Sequence, residues 1–292
     1  MSQSISRRLV LACALALVLA SPARAADTPA PSGIEARLAE IEASVKGRLG
    51  VTILDTQTGT RHGMREDERF PLCSTFKALA AAQVLERVDR GEEKLDRRVT
   101  FSKDDVVPYS PVTKGRAGPD GMTIAELSAA AITHSDNTAA NLMLASFGGP
   151  EALTKFLRTL GDKATRLDRI EPGLNEVKPD DPRDTTTTRA MAYTLQRILL
   201  GNVLSESSKK QLIAWLTANT TGDARLKAGL PKGWRIGDKT GTCNGSASDV
   251  AIVWPPDHAP IIIAVYLSDT KAPLEARNAA MADVARAAAA LF

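Results

Sequence analysis

Apolar residues recur at two different spacings along the chain, and the change of spacing divides it into segments. Apolar positions three to four residues apart within 34–45 predict an amphipathic helix. Residues 49–55 are apolar and β-branched, which is typical of a strand, and a turn at 56–59 leads to a second, shorter strand. Residues 74–219 are rich in Ala and Leu and are punctuated by Gly and Pro, a pattern that predicts successive helices.

The strand pattern returns near the C-terminus. Three apolar runs at 234–242, 247–254 and 260–268 are separated by short turns, and residues 272–292 form an Ala-rich helical pattern. Short turns favour antiparallel pairing of the strands that they join. Strands at both ends with helices between them indicate an α+β fold, in which one antiparallel sheet is assembled from both ends and a helical domain is inserted into it.

We expect two domains to follow a removable leader of residues 1–25. The α/β domain comprises residues 26–66 and 218–292, and the all-helical domain comprises residues 67–217 with a long loop that contains Glu171. No internal repeat is found in the sequence, which argues against a solenoid or a propeller.

The leader has the order of a secretory signal peptide. Arg7 and Arg8 precede the apolar run Leu9–Ala20, and the small residues Ala23 and Ala25 flank a cleavage site. The apolar run of 12 residues is too short for a membrane span of about 20. We therefore expect cleavage near Ala25 and a periplasmic or secreted protein. The arginine pair fits general secretion and twin-arginine export equally well.

The charge balance bears on possible partners. Without Arg7, Arg8 and Arg24, the chain holds 34 basic and 34 acidic residues. A neutral protein has no bulk electrostatic attraction for nucleic acid or for an anionic membrane. We therefore expect neither partner. Independently of the charge, we expect a monomer.

Several chemistries are excluded by missing motifs. The three histidines are scattered at no metal-ligand spacing, and the sequence has neither HExxH nor CxxC. It also lacks the dinucleotide-binding GxGxxG and the GxSxG turn of histidine-dependent serine hydrolases. We expect no metal and no cofactor, which leaves serine chemistry without histidine.

A serine and a lysine three residues apart are the first candidates for that chemistry. The spacing Ser-x-x-Lys occurs three times, but only Ser74 and Lys77 open an apolar-periodic helix. Ser74 is then expected in the first helical turn, where unpaired N–H groups favour negative charge, with Lys77 on the same face. A lysine with a lowered pKa can activate a serine. The alternative is a helix-capping serine beside a solvated lysine.

Three further elements follow in the chain. Ser135–Asn137 reads Ser-Asp-Asn after a helical stretch, and Lys239–Gly241 reads Lys-Thr-Gly on the first C-terminal strand. Glu171 and Asn175 lie in a Pro/Asp-rich loop that ends near Asp184. Singly, these elements are typical of a turn, a strand end and a solvated loop. Together with the Ser-x-x-Lys element, in this order, they form a specific constellation.

This constellation resembles that of the class A serine β-lactamases. The resemblance extends over nearly all of the chain after the leader. It implies a helical domain against an α/β domain with a five-stranded antiparallel sheet, with the active site between them. It also implies hydrolysis of β-lactams through an ester on Ser74.

The resemblance assigns catalytic roles to a few residues. Lys77, or Glu171 through a water, removes the proton of Ser74, and the sequence leaves both open. Ser135 relays a proton to the lactam nitrogen. Glu171 and Asn175 hold the water that hydrolyses the ester.

The resemblance also implies a set of binding residues. Backbone N–H groups of Ser74 and Thr242 would hold the oxyanion. Arg225 is carried over from some members only, and a surface arginine is its alternative. The expected substrate-binding residues are Asn137, Asn175, Lys239, Thr240, Gly241, Thr242, Arg225 and, at the mouth of the cleft, Tyr109. In addition, the family suggests an ion pair of Arg169 with Asp184 and a cis bond between Glu171 and Pro172.

Two other functions share part of the constellation. A cell-wall transpeptidase or D-Ala-D-Ala carboxypeptidase shares the serine, lysine and Lys-Thr-Gly elements but lacks the loop with Glu171 and Asn175. A β-lactam sensor would acylate and stop, and it normally carries a membrane-spanning segment, whereas no second long apolar run is present here. Both remain the alternatives.

Removal of the leader leaves two cysteines, Cys73 and Cys243. They flank Ser74 and Thr242, so if both motifs line one site their Cα atoms are close enough for a disulfide in an oxidising compartment. Two buried free thiols are the alternative. The pair resembles that of the class A carbapenemases, so we expect carbapenem hydrolysis. The alternative is a penicillin and cephalosporin hydrolase that carbapenems only acylate.

Overall fold

The computed structural model describes residues 33–292. The strands in this range are β1 (Arg48–Asp55), β2 (Arg61–Met64), β3 (Arg69–Pro71), β4 (Arg98–Phe101), β5 (Gly118–Thr123), β6 (Thr185–Thr187), β7 (Arg235–Cys243), β8 (Ser246–Trp254) and β9 (Ile261–Ser268). The helices are α1 (Gly33–Val45), α2 (Phe76–Asp89), α3 (Ile124–Thr133), α4 (Asn137–Ala145), α5 (Gly149–Thr159), α6 (Thr188–Leu200), α7 (Glu206–Thr217), α8 (Leu226–Gly229) and α9 (Leu274–Ala289).

Five strands from both ends of the chain form one antiparallel sheet in the order β2-β1-β9-β8-β7. The first long strand, β1, pairs with the last, β9, so that Val51 lies opposite Val265. The tight turn between β7 and β8 places Thr240 opposite Asp249. The α+β fold with a five-stranded antiparallel sheet is confirmed.

Helices cover both faces of this sheet. Ile53 and Ile263 contribute to a core with α1 and α9, whereas Leu54 and Ile262 contribute to a second core with the helical part of the chain. Successive strand residues point to opposite faces. Because both faces are covered, the run Ile261–Leu267 is apolar throughout instead of alternating with polar residues.

The segment 67–217 contains α2–α7 and also two short strand pairs that the sequence analysis does not predict. Residues Arg69–Pro71 pair with Thr185–Thr187, and β4 pairs with β5. These strands are three to six residues long, and the first pair joins segments more than 110 residues apart. Tertiary pairing rather than local pattern forms them, so the domain is helical but not all-helical. The domain boundaries at 66/67 and 217/218 stay a prediction.

The predicted signal peptide lies outside the described residues. Within residues 33–292, no helix is both long enough and apolar enough to cross a membrane.

Candidate active site

Ser74 lies on a tight 3-10 turn, Cys73–Thr75, immediately before α2. The sequence pattern predicted Ser74 in the first turn of the helix itself, whereas Ser74 lies in the 3-10 turn just before it. Thr75 anchors the turn, because its hydroxyl bonds to the Leu72 carbonyl at 2.7 Å and to the Tyr266 hydroxyl at 2.9 Å. Cys73 has a φ of +43°, a left-handed conformation that is strained for a residue with a side chain.

The predicted disulfide between Cys73 and Cys243 is confirmed. It joins the turn of Ser74 to the end of β7, with a Cα–Cα distance of 5.8 Å. Gly241 permits this close approach of the strand and the turn. A Cβ there would lie 2.4 Å from Ser248 Oγ and 3.0 Å from the Leu72 carbonyl oxygen.

Glu171 and Lys77 form a fully buried ion pair beside the nucleophile. Glu171 Oε1 lies 3.1 Å from Lys77 Nζ and accepts a hydrogen bond from Ser74 Oγ at 3.3 Å. The Lys77 ammonium also donates to the carbonyl of Ser135 at 2.8 Å and to Asn137 Oδ1 at 2.6 Å. Burial lowers the pKa of Lys77, and the charge of Glu171 opposes that effect. The contacts place the carboxylate within hydrogen-bond distance of both the ammonium and the serine hydroxyl.

The backbone of Glu171 is held by a residue that the sequence analysis missed. Asn141 on α4 donates from Nδ2 to the Glu171 carbonyl and accepts from the Glu171 N–H, both at 2.9 Å. The Glu171–Pro172 bond is cis, as expected from the resemblance. On the side chain, Asn175 Nδ2 donates to Glu171 Oε2 at 2.5 Å. The carboxylate is thus oriented from both its backbone and its far oxygen.

The ends of the Glu171 loop are closed by the expected ion pair. Arg169 Nε lies 2.6 Å from Asp184 Oδ2, and the Asp184 side chain is 1% exposed. Asp184 Oδ1 also accepts from the backbone N–H groups of Asp168 and Arg169, at 2.8 and 2.9 Å. The Asp184 N–H in turn donates to Asp168 Oδ2. Asp184 therefore closes the loop through four contacts, three of its carboxylate and one of its backbone.

Asp136 positions the Ser-Asp-Asn element at the start of α4. Its buried carboxylate caps the helix by accepting from the Ala139 N–H at 2.8 Å. It also accepts from the N–H groups of Val112 and Thr113 and from the Thr113 hydroxyl, at 2.8–2.9 Å. Asp136 therefore ties α4 to the loop that carries Tyr109, a role that no sequence motif indicated.

Asn137 and Tyr109 are neighbours at this junction. The Asn137 side chain donates to the Pro108 carbonyl at 2.9 Å, and its N–H donates to the Tyr109 carbonyl at 3.0 Å. The Tyr109 residue is 64% exposed and has a φ of +61°. The structure thus joins Asn137 to Lys77 and leaves the ring of Tyr109 in solvent.

Lys239 is the second buried lysine of the site. Its ammonium donates to Ser135 Oγ at 3.0 Å and to the carbonyl of Thr240 at 2.6 Å. Ser135 Oγ is also 3.5 Å from Lys77 Nζ, so this hydroxyl lies between the two lysines. Burial lowers the pKa of Lys239 well below the usual lysine value, and the charge of Lys77 adds to that effect.

Arg225 lies behind the strand that carries Lys239. Its guanidinium donates to the carbonyls of Gly241 at 2.8 Å and Ser248 at 2.6 Å, and to Thr242 Oγ1 at 2.6 Å. Arg225 is only 5% exposed, so the surface-arginine alternative is wrong. It contacts the expected binding residue Thr242 from behind, whereas Thr242 itself is exposed.

The structure brings the predicted serine, lysine and glutamate residues together in one cleft. The serine is partly exposed, and the groups that can exchange its proton are buried beneath it. No cluster of side chains suited to a metal ion is found within residues 33–292. The arrangement suits nucleophilic attack by serine on an acyl group, followed by base-assisted hydrolysis.

Comparison with known proteins agrees with this chemistry. The sequence profile of the β-lactamase enzyme family matches residues 33–292. The solved structure of the class A β-lactamase of the last common ancestor of Gram-negative bacteria (GNCA4) superposes with a TM-score of 0.88 and 60% sequence identity. The alignment covers 89% of this chain and 100% of that one. The chain belongs to the class A β-lactamases.

Curated relatives support the same assignment. β-Lactamase L2 of Stenotrophomonas maltophilia is 47% identical over 285 residues, which cover 95% of this chain and 94% of L2. β-Lactamase CTX-M-97 of Escherichia coli is 43% identical over 288 residues, 98% of each chain. As a class A β-lactamase, the protein is a hydrolase of cyclic amides.

Proposed function

We propose that this β-lactamase opens the lactam ring through an ester on Ser74 and that Glu171 serves both halves of the reaction. The observation that carries the proposal is the position of Glu171 Oε1, which contacts Ser74 Oγ at 3.3 Å and Lys77 Nζ at 3.1 Å. One carboxylate oxygen thus reaches the nucleophile and its lysine neighbour together.

In acylation, Ser74 Oγ bonds to the lactam carbonyl carbon and gives its proton to Glu171. The ring C–N bond breaks, and the nitrogen takes the proton of the Ser135 hydroxyl. That proton is free to point at the substrate because both lysines donate to Ser135 Oγ. Lys77 then reprotonates Ser135, and Glu171 returns its proton to Lys77 across their 3.1 Å contact.

In deacylation, a water between Glu171 and Asn175 attacks the ester carbonyl. Glu171 takes a proton from the water and passes it to Ser74 Oγ as the ester bond breaks. Asn175 suits the task because its Nδ2 orients Glu171 Oε2, while its buried Oδ1 has no hydrogen-bond partner among residues 33–292. That oxygen can accept a hydrogen bond from the water.

The binding groups follow from the same geometry. We assign the substrate's carboxylate to Lys239, Thr240 and Thr242, with Arg225 positioning Thr242 and Gly241 from behind. The strand β7 is at the edge of the sheet, which suits a backbone donor from Thr242 together with that of Ser74. Each such oxyanion donor contributes about 3–4 kcal/mol to transition-state stabilisation. Asn137 binds the amide side chain, and Tyr109 borders the cleft.

The first test of this mechanism is turnover. The purified protein should hydrolyse many equivalents of a chromogenic cephalosporin, and the acyl-enzyme should be detected as a mass increase on intact protein. Ser74→Gly should abolish that label, whereas Ser102→Gly, at an exposed position, should retain it. A burst of one equivalent without turnover would indicate a β-lactam sensor instead.

We further propose that carbapenems are among the substrates. The support is the Cys73–Cys243 disulfide, which links the nucleophile turn to the binding strand and resembles that of class A carbapenemases. Steady-state hydrolysis of imipenem tests the proposal. In the double variant Cys73→Ala and Cys243→Ala, imipenem turnover should fall more than benzylpenicillin turnover. A stalled imipenem acyl-enzyme in the parent protein would reject carbapenem hydrolysis and leave the β-lactamase activity unaffected.

We also propose that the protein acts as a periplasmic or secreted monomer. The support is the signal-like order of residues 1–25 and the absence of a membrane-spanning helix from residues 33–292. Fractionation of expressing cells and the intact mass of the product test this proposal. We expect a periplasmic protein that starts near Ala25 and elutes as a monomer.

A further inference from the structure

Two buried aspartates meet behind the strand that carries Lys239. Asp249 on β8 lies opposite Thr240, and Asp238 lies two residues before Thr240 on β7, so both side chains are on one face of the sheet. Asp238 is 3% exposed and Asp249 is 0% exposed, so two carboxyl groups are buried on the same face of neighbouring strands.

The remaining hydrogen bonds of the pair are unequal. Asp238 Oδ2 accepts from Asn219 Nδ2 at 2.6 Å, and Asp249 Oδ2 accepts from the Leu226 N–H at 3.2 Å. Asp249 Oδ1 is buried, and no hydrogen-bond donor within residues 33–292 reaches it. An ionised carboxylate only accepts hydrogen bonds, so two carboxylates cannot bond to each other without a proton.

We propose that Asp249 is a neutral carboxylic acid in the folded enzyme and that its Oδ1–H donates to the Asp238 carboxylate. The pair then carries one negative charge, and Asp249 Oδ1, which otherwise has no partner among the described residues, forms a hydrogen bond. Asp238 is the ionised member because it already accepts from Asn219. Burial raises the pKa of both groups, and the neighbouring Asp238 raises that of Asp249 further.

The shared proton preserves positive charge where the substrate's carboxylate is expected. The cations around the pair come from every neighbouring element: Lys239 on β7, Arg225 in the preceding loop, Lys227 on α8 and, beyond Arg225, Arg277 on α9. Two ionised aspartates would offset the charges of the two buried cations, Lys239 and Arg225. A single ionised aspartate leaves this end of the site with a net positive charge. This inference rests on the proposed function, in which that end of the cleft binds an anion.

The pair also positions the loop that supports the binding strand. Gly222 packs directly on the carboxylate, since a Cβ there would lie 2.1 Å from Asp238 Oδ2. The same loop supplies Thr221, which bonds to the Thr240 hydroxyl at 2.5 Å, and Arg225, which holds Thr242. Asp238 and Asp249 are therefore positioning residues that act through Thr240 and Thr242.

The free energy of unfolding as a function of pH tests the proton directly. In the parent, Asp249 is protonated when folded and ionised when unfolded, so above about pH 4 the folded state binds one more proton and stability falls with rising pH. Asp249→Asn removes this difference in bound protons between the folded and unfolded states, because an amide does not titrate. We expect the ratio of folding constants, Asp249→Asn over parent, to increase about tenfold per pH unit from about pH 5 upwards until the folded aspartate ionises. Parallel curves would overturn the proposal.

A further measurement detects the proton itself. Infrared spectra of the parent at pH 7 should show the carbonyl band of a neutral aspartic acid, and Asp249→Asn should lose it. A carbonyl band that Asp249→Asn retains would refute the proposal. The unfolding and infrared measurements need no turnover, so they stand even if the proposed function fails.

Discussion

The two buried lysines of the cleft differ in what neutralises them. Lys77 and Lys239 are both 0% exposed, and both donate to Ser135. Lys77 is paired with the Glu171 carboxylate at 3.1 Å, whereas Lys239 bonds only to a hydroxyl and a carbonyl and has no ion-pair partner within residues 33–292. A buried cation without a counter-ion is costly. In the proposed function, an anionic substrate recovers the cost at Lys239 when it binds, whereas the charges of the Lys77–Glu171 pair already balance.

The neighbouring charges strengthen this contrast. Burial lowers the pKa of both lysines, but the Glu171 charge opposes the effect at Lys77. At Lys239, the positive charges of Lys77 and Arg225 add to the effect of burial, and the negative charge of Asp238 on the same strand opposes it. In the proposed mechanism, the half of the site with Lys77 therefore exchanges protons, and the half with Lys239 attracts negative charge.

Removal of the carboxylate from the paired half should have the largest effect. Glu171→Gln removes the group that activates water, and general-base catalysis typically contributes a factor of about 10²–10⁴. We expect kcat to fall by that factor, with acylation slowed but the Ser74 acyl-enzyme still detectable by intact mass after mixing with a cephalosporin. Glu176→Gln is the matched control, because this glutamate lies on the same loop with its side chain 68% exposed. Equal turnover by Glu171→Gln and the parent would exclude Glu171 as the deacylation base.

Loosening the loop should disturb the paired half less directly. Asp184→Asn removes one partner of the largely buried pair with Arg169, which typically costs about 3 kcal/mol or more of stability. We expect faster proteolysis within residues 176–182 and a lower unfolding midpoint in urea. Asp181→Asn, whose partner Arg183 is exposed, should change stability by less than about 1 kcal/mol. If the two variants have equal midpoints and loop cleavage rates, the Arg169–Asp184 pair does not close the loop.

Local spacing could predict the pairing of Ser74 with Lys77, whereas the roles of the other site residues were implied by the resemblance to the class A family. Ser74 and Lys77 are one helical turn apart, and Lys239–Gly241 are consecutive on a strand, so spacing alone brings their groups together. Asn141 lies 30 residues before Glu171 and sits in a helix like any other polar residue. Nothing in its local spacing indicates that the Asn141 side chain forms two hydrogen bonds with the Glu171 backbone.

The same limit applies to the short strands and to the aspartate pair. Arg69–Pro71 becomes a strand only because Thr185–Thr187 lies beside it. Asp238 and Asp249 each read as a polar residue in a strand, and only the β7–β8 register joins them. Long-range pairing therefore decides what local pattern leaves open.

Removal of the unpaired lysine should weaken anion binding. Lys239→Ala deletes a charged hydrogen bond to the substrate's carboxylate, which is worth about 2 kcal/mol, or about 30-fold in kcat/KM. We expect most of this loss in KM, measured with a carboxylate-bearing cephalosporin. A derivative with that carboxylate esterified should lose much less. Lys232→Ala, at an exposed position seven residues earlier, is the control for general loss of positive charge. An equal loss of kcat/KM for both substrates would mean that Lys239 does not bind the substrate's carboxylate.

The smallest effect is expected at alkaline pH, where the two lysines can be separated. Because its pKa lies well below the usual lysine value, Lys239 should lose its proton, and with it anion affinity, before exposed lysines titrate near pH 10.4. KM for the carboxylate-bearing cephalosporin should therefore rise about threefold with increasing pH before the range in which exposed lysines titrate is reached. Arginine stays protonated throughout this range. Lys239→Arg should thus show a flatter KM profile, while any alkaline change in kcat that comes from Lys77 persists in both proteins. If KM rises equally in Lys239→Arg, the titrating group is not Lys239, and the contrast between a paired and an unpaired lysine does not account for anion binding.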